Sequence, residues 1–564
     1  MYIFKLSLKI IGHILFVIIF FSTLEAKNLD KFHKADRVSD YFLGTLLLND
    51  NQYDESLKFL KKLDGLEKSH INYSTKYLYS LVNSGNLNEA FNFSRKLEKQ
   101  KLDSFESDLI TGIFYLKNSN LDLAKKYFLK AKKRNSIYVL NKYVSTSLYN
   151  WSNLGGLNLN SATLELKKLD KRFENLKKIQ NVFLNCFFKS SNTNFLFDQL
   201  TKNNKTDFSR YSYFYASHVF SSEKIKAAKN IVQSALKQYP RNLLLNQYKI
   251  DLNKPKKINR FNCKKENHIV AEILYIASNA LSSQSLYPFS NFYLNLAKFL
   301  NEDFYSYDTL LAENFYNINN FEKAKKIYKN LSKEGEAFKW YSTKQLAKIL
   351  IQEENINEAI ELTSNTYNNL VIKEVYETFD FAEFLKNNEK FEKSIFYYTD
   401  VLNSINQDHL LYPEATDGRG VAYERIGEWD KAEKDLLASL KADPNQAYVI
   451  NYLAYSWIEK GIKVKESLSM LEKANKIKPN DPFIIDSLGW ALFKLERYEE
   501  SKEQLQMAVK LMPGDPTVND HYGDVLWKNG NKIQARYYWN YVLNLENTEK
   551  DLKKIVNKKL IKGL

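Results

Sequence analysis

The 564-residue chain contains very little cysteine. Its only two cysteines, Cys186 and Cys263, lie 77 positions apart, and neither belongs to a CxxC pair or a metal-like His/Cys pattern. A disulfide-rich framework and a zinc motif are therefore excluded at the level of sequence. The spacing corresponds to about two of the repeats described below, so we expect two buried, unpaired thiols. Pairing in an oxidising compartment remains the alternative.

Glycine and proline are also scarce, with 17 and 9 residues. No proline-rich or low-complexity stretch is long enough to act as a linker between domains. The composition therefore predicts one continuous or gently segmented helical body.

The signatures of common enzymes are absent: the sequence has no GxxxxGK[ST], GxGxxG or GxSxG motif. The segment His268–Glu272 resembles a zinc-binding helix but lacks the second histidine. His521 lies close to Asp520 and Asp524 in sequence, but no third group is positioned beside it, so we expect a surface or packing histidine. The sequence predicts no enzyme, no cofactor and no metal site.

The formal charge is +16 and the isoelectric point about 9.2. Lysine is nevertheless intermingled with aspartate and glutamate, as in Phe321–Asn330 and Trp429–Asp443, which is typical of solvated outer helix faces. A surface set by composition is favoured over a dedicated polyanion site, so a nucleic-acid partner is disfavoured.

The stretch Glu414–Leu545 consists of four consecutive near-copies of one helix–turn–helix unit. Pro444, Pro479 and Pro513 recur 35 and 34 residues apart. The same interval separates small residues in the first helices, namely Gly420, Ala454, Gly489 and Gly523. A period of this length is typical of a solenoid of stacked helix pairs.

The same frame extends through most of the chain in weaker form. A small residue heads each second helix at intervals of 34 to 38 residues within two runs, which are Ser56, Ala90 and Ala124, and then Ser290, Ala324, Ala359, Ser394, Ala432, Ser467, Ser501 and Ala535. We therefore predict an all-α fold, an α-solenoid of about 12–15 repeats. The register is lost over residues 136–210.

Breaks in the pattern suggest a division of the array. We expect a degenerate N-terminal array at 27–250, a possible hinge at 251–267, a middle array at 268–411 and a well-preserved C-terminal array of four repeats at 412–546. Residues 547–564 carry a helical apolar stripe that would cap the last repeat, formed by Leu552, Ile555, Val556 and Leu560.

The first 26 residues have the pattern of an export signal. Lys5 and Lys9 precede an apolar run that ends at Leu24, and Ala26 offers a small residue for cleavage. Counted from Tyr2, the apolar stretch would also be long enough for an uncleaved membrane anchor. Both readings predict an exported protein, either periplasmic or associated with the membrane.

The segment DSLGWALFKLERYEESKEQLQMAVKLMP, residues 486–513, resembles a tetratricopeptide repeat (TPR). Leu488 and Gly489 match the first helix of that motif, Ala508 the second, and Pro513 its end. More narrowly, NYLAYSW, IIDSLGWALFKLERYEES and NDHYGDVLWKNGNKIQARYYW are similar to exported TPR proteins of Gram-negative bacteria, especially alphaproteobacteria. The resemblance implies a right-handed superhelix and a non-catalytic scaffold of the cell envelope.

The resemblance also implies that the first helices line an inner groove that binds a protein or peptide partner. The groove-facing positions would be Asn451, Tyr455, Ile458, Asp486, Trp490, Phe493, Lys494, Asp520, Asp524, Trp527 and Lys528. The competing interpretation is that the aromatic residues pack between repeats and that the aspartates are solvated or cap helices. Aspartate in this groove disfavours recognition of a C-terminal carboxylate of the heat-shock chaperone type.

Two further functional hypotheses stay open at this stage. The chain could be an accessory subunit of a polysaccharide or protein export complex, or, less in keeping with its N-terminus, a nucleic-acid-binding solenoid of the cytoplasm.

Overall fold

The structure is a computed structural model that describes residues 35–134, 139–202, 206–221, 224–254 and 260–564. The export signal expected at 1–26 lies outside the described residues, as does the central part of the hinge expected at 251–267. Among the helices that are described, none combines the length and the apolar character needed to cross a bilayer.

The described residues contain thirty α-helices and no β-strand. The chain divides into two compact units, an N-terminal unit (1–362) and a C-terminal unit (363–564). The helices of the N-terminal unit are α1 Ala35–Asn49, α2 Tyr53–Leu60, α3 Ile71–Asn83, α4 Leu87–Lys99, α5 Phe105–Lys117, α6 Leu121–Lys133, α7 Val139–Ser152, α8 Leu159–Lys167, α9 Glu174–Phe187, α10 Thr193–Thr201, α11 Ser209–Phe220, α12 Ile225–Gln238, α13 Leu243–Asp251, α14 Glu266–Ser282, α15 Tyr287–Leu300, α16 Ser306–Asn317, α17 Phe321–Leu331 and α18 Glu336–Gln352.

Helix α19 spans Ile356–Asn368. The C-terminal unit continues with α20 Val375–Asn387, α21 Phe391–Ser404, α22 Tyr412–Arg425, α23 Trp429–Ala442, α24 Ala447–Glu459, α25 Val464–Ile477, α26 Pro482–Lys494, α27 Tyr498–Leu511, α28 Pro516–Lys528, α29 Lys532–Asn544 and α30 Lys550–Lys562. The all-α solenoid predicted from the repeat pattern is thereby confirmed. The array boundaries proposed from the sequence stay predictions.

Small residues hold the two helices of each pair together. Every small residue predicted to head a second helix is fully buried: Ser56, Ala90, Ala124, Ser290, Ala324, Ala359, Ser394, Ala432, Ser467, Ser501 and Ala535. The first helix of a pair can be just as tightly packed. A Cβ added at Gly489 would lie 2.6 Å from Leu505 Cγ in the second helix, so only glycine fits this contact. The hydroxyl of Ser501 donates to the carbonyl of Gly489 (2.7 Å), which explains why serine can replace alanine in the frame.

The inner side of the N-terminal unit is filled by its own chain. Helix α15 packs on the first helices α3 and α5, and α14 packs on α7. The ring of Tyr79 lies 4.5 Å from that of Phe292, and the hydroxyl of Tyr293 donates to Asn141 Oδ1 at 3.2 Å. The surface that a peptide would use in an open solenoid is therefore occupied by α14 and α15.

A buried ion pair fixes α14 to α11. Nε and Nη2 of Arg210 lie 2.7 and 2.8 Å from the two carboxylate oxygens of Glu272, and the guanidinium lies over the Tyr275 ring at 3.8 Å. Burial raises the pKa of Glu272, and Arg210 opposes that change. The glutamate of the segment His268–Glu272 is thus a structural ion-pair partner.

The expectation of two unpaired thiols was wrong, because Cys186 and Cys263 form a disulfide. The number of repeats between them measures their distance only along a regular stack, whereas the chain doubles back after α13. The stretch 260–265 returns to α9 and α11, where the Phe261 ring lies 5.5 Å from Phe183 and 4.2 Å from Phe214. This return brings the two sulfurs together.

Candidate functional site

The first helices of the C-terminal unit form a face with a regular polar column. Consecutive first helices pack directly on one another at α20 and α22, α24 and α26, and α26 and α28. One position of each helix carries a polar side chain, at intervals of 34, 34, 35 and 34 residues: Glu383, Asp417, Asn451, Asp486 and Asp520. We call these five residues the acidic column, since four of them are carboxylates.

Near the C-terminal end, the column pairs with a histidine of the next repeat. Nδ1 of His521 lies 3.0 Å from both carboxylate oxygens of Asp486. The His521 ring stacks on Trp490 at 3.9 Å, and Trp490 stacks on Phe493 at 4.8 Å. Burial opposes the charged imidazolium, but Asp486 and the neighbouring carboxylates outweigh it and raise the pKa of His521. The result is a buried contact between two repeats that favours the protonated form of His521.

The last carboxylate of the column binds a lysine from the C-terminal helix. Nζ of Lys559, on α30, lies 2.7 and 2.8 Å from the oxygens of Asp520 and 2.7 Å from Asp524 Oδ2. The indole of Trp539 donates to the other oxygen of Asp524 at 2.9 Å. Burial and Asp520 raise the pKa of Asp524 to about 6, against the effect of Lys559. Helix α30 therefore covers this end of the face with a matching charge.

The groove residues predicted from the sequence fall into three classes. Asp486, Trp490, Asp520 and Asp524 are buried and bonded within the chain. Ile458 is also buried. Asn451, Tyr455, Phe493 and Trp527 are half-buried, and Lys494 and Lys528 are exposed. Trp490 makes the inter-repeat contact that the packing interpretation describes. A partner-binding role for the set stays a prediction.

The other end of the column is also neutralised within the chain. Lys386 donates to the carboxylate of Glu383 at 2.8 Å, and the hydroxyl of Tyr398 donates to the same oxygen. Both ends of the acidic column therefore carry internal cations.

Sequence reasoning placed Asn451 in the groove but overlooked Asp417, one repeat before it in the column. Asp417 is half-buried and forms no hydrogen bond or ion pair with any described residue; burial, opposed by Lys386 and reinforced by Glu383, raises its pKa to about 6. One repeat further on, Asn451 Oδ1 is buried and accepts no hydrogen bond within the described part of the chain. The 34-residue spacing between Asp417 and Asn451 would have revealed Asp417.

Sequence reasoning also overlooked Lys559. The tail was interpreted through its apolar stripe, of which Val556 is buried and Ile555 is half exposed. The signal was available, because Lys559 follows Asp524 by 35 residues, which is one repeat.

No protein-family model matches the chain. A segment of 114 residues is 31% identical to the TPR repeat-containing protein PA4667 of Pseudomonas aeruginosa, and the match covers 20% of this chain and 18% of that protein. The chain therefore spans less than a fifth of this curated relative.

Among solved structures, MamA of Desulfovibrio magneticus RS-1 is similar with a TM-score of 0.28 and 20% identity, over 31% of this chain and 97% of that one. YrrB, described as a TPR protein with an unusual peptide-binding site, is similar with a TM-score of 0.27 and 17% identity, over 33% of this chain and 92% of that one. The chain contains tetratricopeptide repeats, as its repeat frame predicted. The narrower likeness to alphaproteobacterial proteins stays a prediction.

Proposed function

We propose that the protein is a non-catalytic scaffold of the bacterial cell envelope that binds a protein or peptide segment on the first-helix face of its C-terminal unit. One observation carries the proposal. The middle of the acidic column, at Asp417 and Asn451, offers two acceptors that no described residue satisfies, whereas both ends of the column are already paired.

The chemistry of the column favours a basic partner segment. Lys386, His521 and Lys559 bind three of its four carboxylates, so the face accommodates cationic side chains. A carboxylate held partly out of water without a partner costs free energy, and a lysine or arginine beside Asp417 would remove that cost. Asn451 Oδ1 would accept a hydrogen bond from the same segment. Phosphate groups would be repelled here, which further disfavours nucleic acid.

The packing of the N-terminal unit supports this choice of surface. Its first helices α3, α5 and α7 already contact α14 and α15. A peptide would have to displace a helix pair that buries large aromatic side chains, among them Phe292 and Tyr293.

Two observations support export. Residues 1–26 have the composition of an export signal. The disulfide between Cys186 and Cys263 is of the kind that persists in oxidising compartments. N-terminal sequencing of protein from envelope and soluble fractions, with alkylation of free thiols before lysis, tests this part. A protein with Met1 intact and both thiols alkylated in the soluble cytoplasmic fraction would contradict it.

The binding proposal is tested with two labelled peptides that differ only in carrying lysines or glutamates at the same positions. We expect fluorescence anisotropy to show preferential binding of the lysine peptide to the full chain. Asp417→Lys should weaken that binding at least tenfold, because it places like charges at the docking point.

The matched control is Glu472→Lys, which makes the same charge change on an exposed position of the second helix α25. Equal weakening in both variants would indicate a long-range charge effect. That outcome would contradict the assignment of Asp417 to the binding site. Asn451→Ala should weaken binding by a smaller factor, since it removes one neutral acceptor.

A further inference from the structure

The disulfide of the N-terminal unit has a third potential ligand beside it. Nδ1 of His218 lies 3.4 Å from Cys186 Sγ and 3.9 Å from Cys263 Sγ. Within the described part of the chain, these three side chains form a group whose ligand atoms all lie within 4.8 Å of one another. They come from three separate segments, namely α9, α11 and the stretch 260–265.

The distances between the histidine nitrogen and the two sulfurs fit a tetrahedral metal site. Zinc bonds of about 2.3 Å to sulfur and about 2.1 Å to nitrogen place those two atoms roughly 3.6 Å apart at a tetrahedral angle. The two observed sulfur–nitrogen distances, 3.4 and 3.9 Å, lie on either side of that value. After reduction, the sulfurs would need to move apart by only about 1.7 Å, from a disulfide bond to a tetrahedral edge.

The surroundings keep the three ligands in place. Cys186 is fully buried and Cys263 is 6% exposed, so neither side chain has room to turn into solvent. The hydroxyl of Ser217, next to His218, donates to the carbonyl of Phe261 at 3.4 Å and ties the returning stretch to α11. The His218 ring stacks on Phe197 at 5.9 Å. On reduction, two thiols and an imidazole would lie side by side in this buried position.

We propose that the dithiol form of this site binds a Zn²⁺ ion through Cys186, Cys263 and His218, with water in the fourth position. A dithiol reductant supplies two electrons and two protons to the disulfide and itself becomes a disulfide. Coordination of Zn²⁺ then displaces the two thiol protons. A disulfide oxidant reverses the sequence, re-forms the bond between the sulfurs and releases the ion.

The consequence is a cross-link that survives both redox states. Either the covalent bond or the ion ties the stretch 260–265 to α9 and α11. The site does not depend on the binding function proposed for the C-terminal unit.

Cobalt provides a direct test on the full chain. The protein is reduced with a dithiol, the reductant is removed under nitrogen, and Co²⁺ is added as a spectroscopic probe, followed by competing Zn²⁺. We expect thiolate-to-cobalt charge-transfer absorption that saturates at a single equivalent and disappears with Zn²⁺, and no such band for the oxidised chain.

Variants separate a built site from thiols that bind metal non-specifically. His218→Gln should weaken Zn²⁺ binding at least tenfold and Cys186→Ser should abolish the charge-transfer band, while His409→Gln, in the C-terminal unit, should change nothing. Equal affinities of the wild type and His218→Gln would overturn the proposal, as would absence of the band in the reduced wild type. Circular dichroism of the reduced chain must retain the helical signal, because loss of fold on reduction also overturns it.

Discussion

The two units use one repeat frame but treat its inner face differently. In the N-terminal unit, α3, α5 and α7 carry aromatic and amide groups that close on α14 and α15, as in the contact of Tyr79 with Phe292. In the C-terminal unit, the corresponding face carries the acidic column, whose ends bind cations of the chain itself. The frame therefore determines how helices stack, and the residues on the first-helix face determine what the stack encloses.

The closed N-terminal unit should depend most on its buried ion pair. Glu272→Ala removes the fully buried carboxylate that neutralises the half-buried Arg210, so we expect it to lower the free energy of unfolding by about 3–5 kcal/mol. Hydrogen exchange followed by mass spectrometry would show the loss in α11 and α14. Glu302→Ala, which removes an exposed partner of Lys117, is the control and should cost under about 1 kcal/mol. Equal effects of the two variants would show that the pair does not hold the unit closed.

The C-terminal unit should depend on Lys559 in a similar way. Lys559→Met removes the lysine that bridges the buried carboxylates of Asp520 and Asp524, and we expect a loss of about 2–4 kcal/mol in the protection of α28 and α30. Lys554→Met removes an exposed lysine of the same helix and should have almost no effect. Should both variants lose protection equally, the apolar stripe of α30 would be the main contact.

Tight glycine contacts should affect both units alike, because they belong to the shared frame. A Cβ at Gly112 would clash with the ring of Phe128, and one at Gly489 would lie 2.6 Å from Leu505. We expect Gly112→Ala and Gly489→Ala each to destabilise their unit by about 1–3 kcal/mol. Gly514→Ala, where no atom lies within 4 Å of the added Cβ, should be neutral in the same exchange experiment. A cost confined to one unit would argue against a common frame.

These differences explain how far the sequence could predict the structure. Contacts such as Gly489 with Ser501 recur every 34 or 35 residues, so their period predicted the frame. The disulfide and the pair of Arg210 with Glu272 arise where the chain doubles back after α13, and such a return has no periodic signature. In the site, Asp486 and Asp520 were predicted as groove residues from their positions in the repeat. Their partners within the chain, His521 and Lys559, lie about one repeat further on, and these pairings were not predicted.

The smallest expected effect concerns pH and the contact of His521 with Asp486. Since the folded-state pKa of His521 is raised, its stabilising contribution is fully present below the unfolded value of about 6.5 and is lost as pH rises through the folded value. The charged groups that face His521 are Asp486, Asp520 and Asp524, with Lys559 beyond them. As pH rises through the folded-state pKa of His521, we therefore expect the hydrogen-exchange protection of α26 and α28 to fall in the wild type more than in Asp486→Asn. Both proteins are measured at each pH. His409→Gln should keep the wild-type slope. A slope that persists in Asp486→Asn would mean that the charged pair does not couple these repeats. The distinction between an N-terminal face of aromatic and amide groups and a charged C-terminal face would then lose its energetic basis.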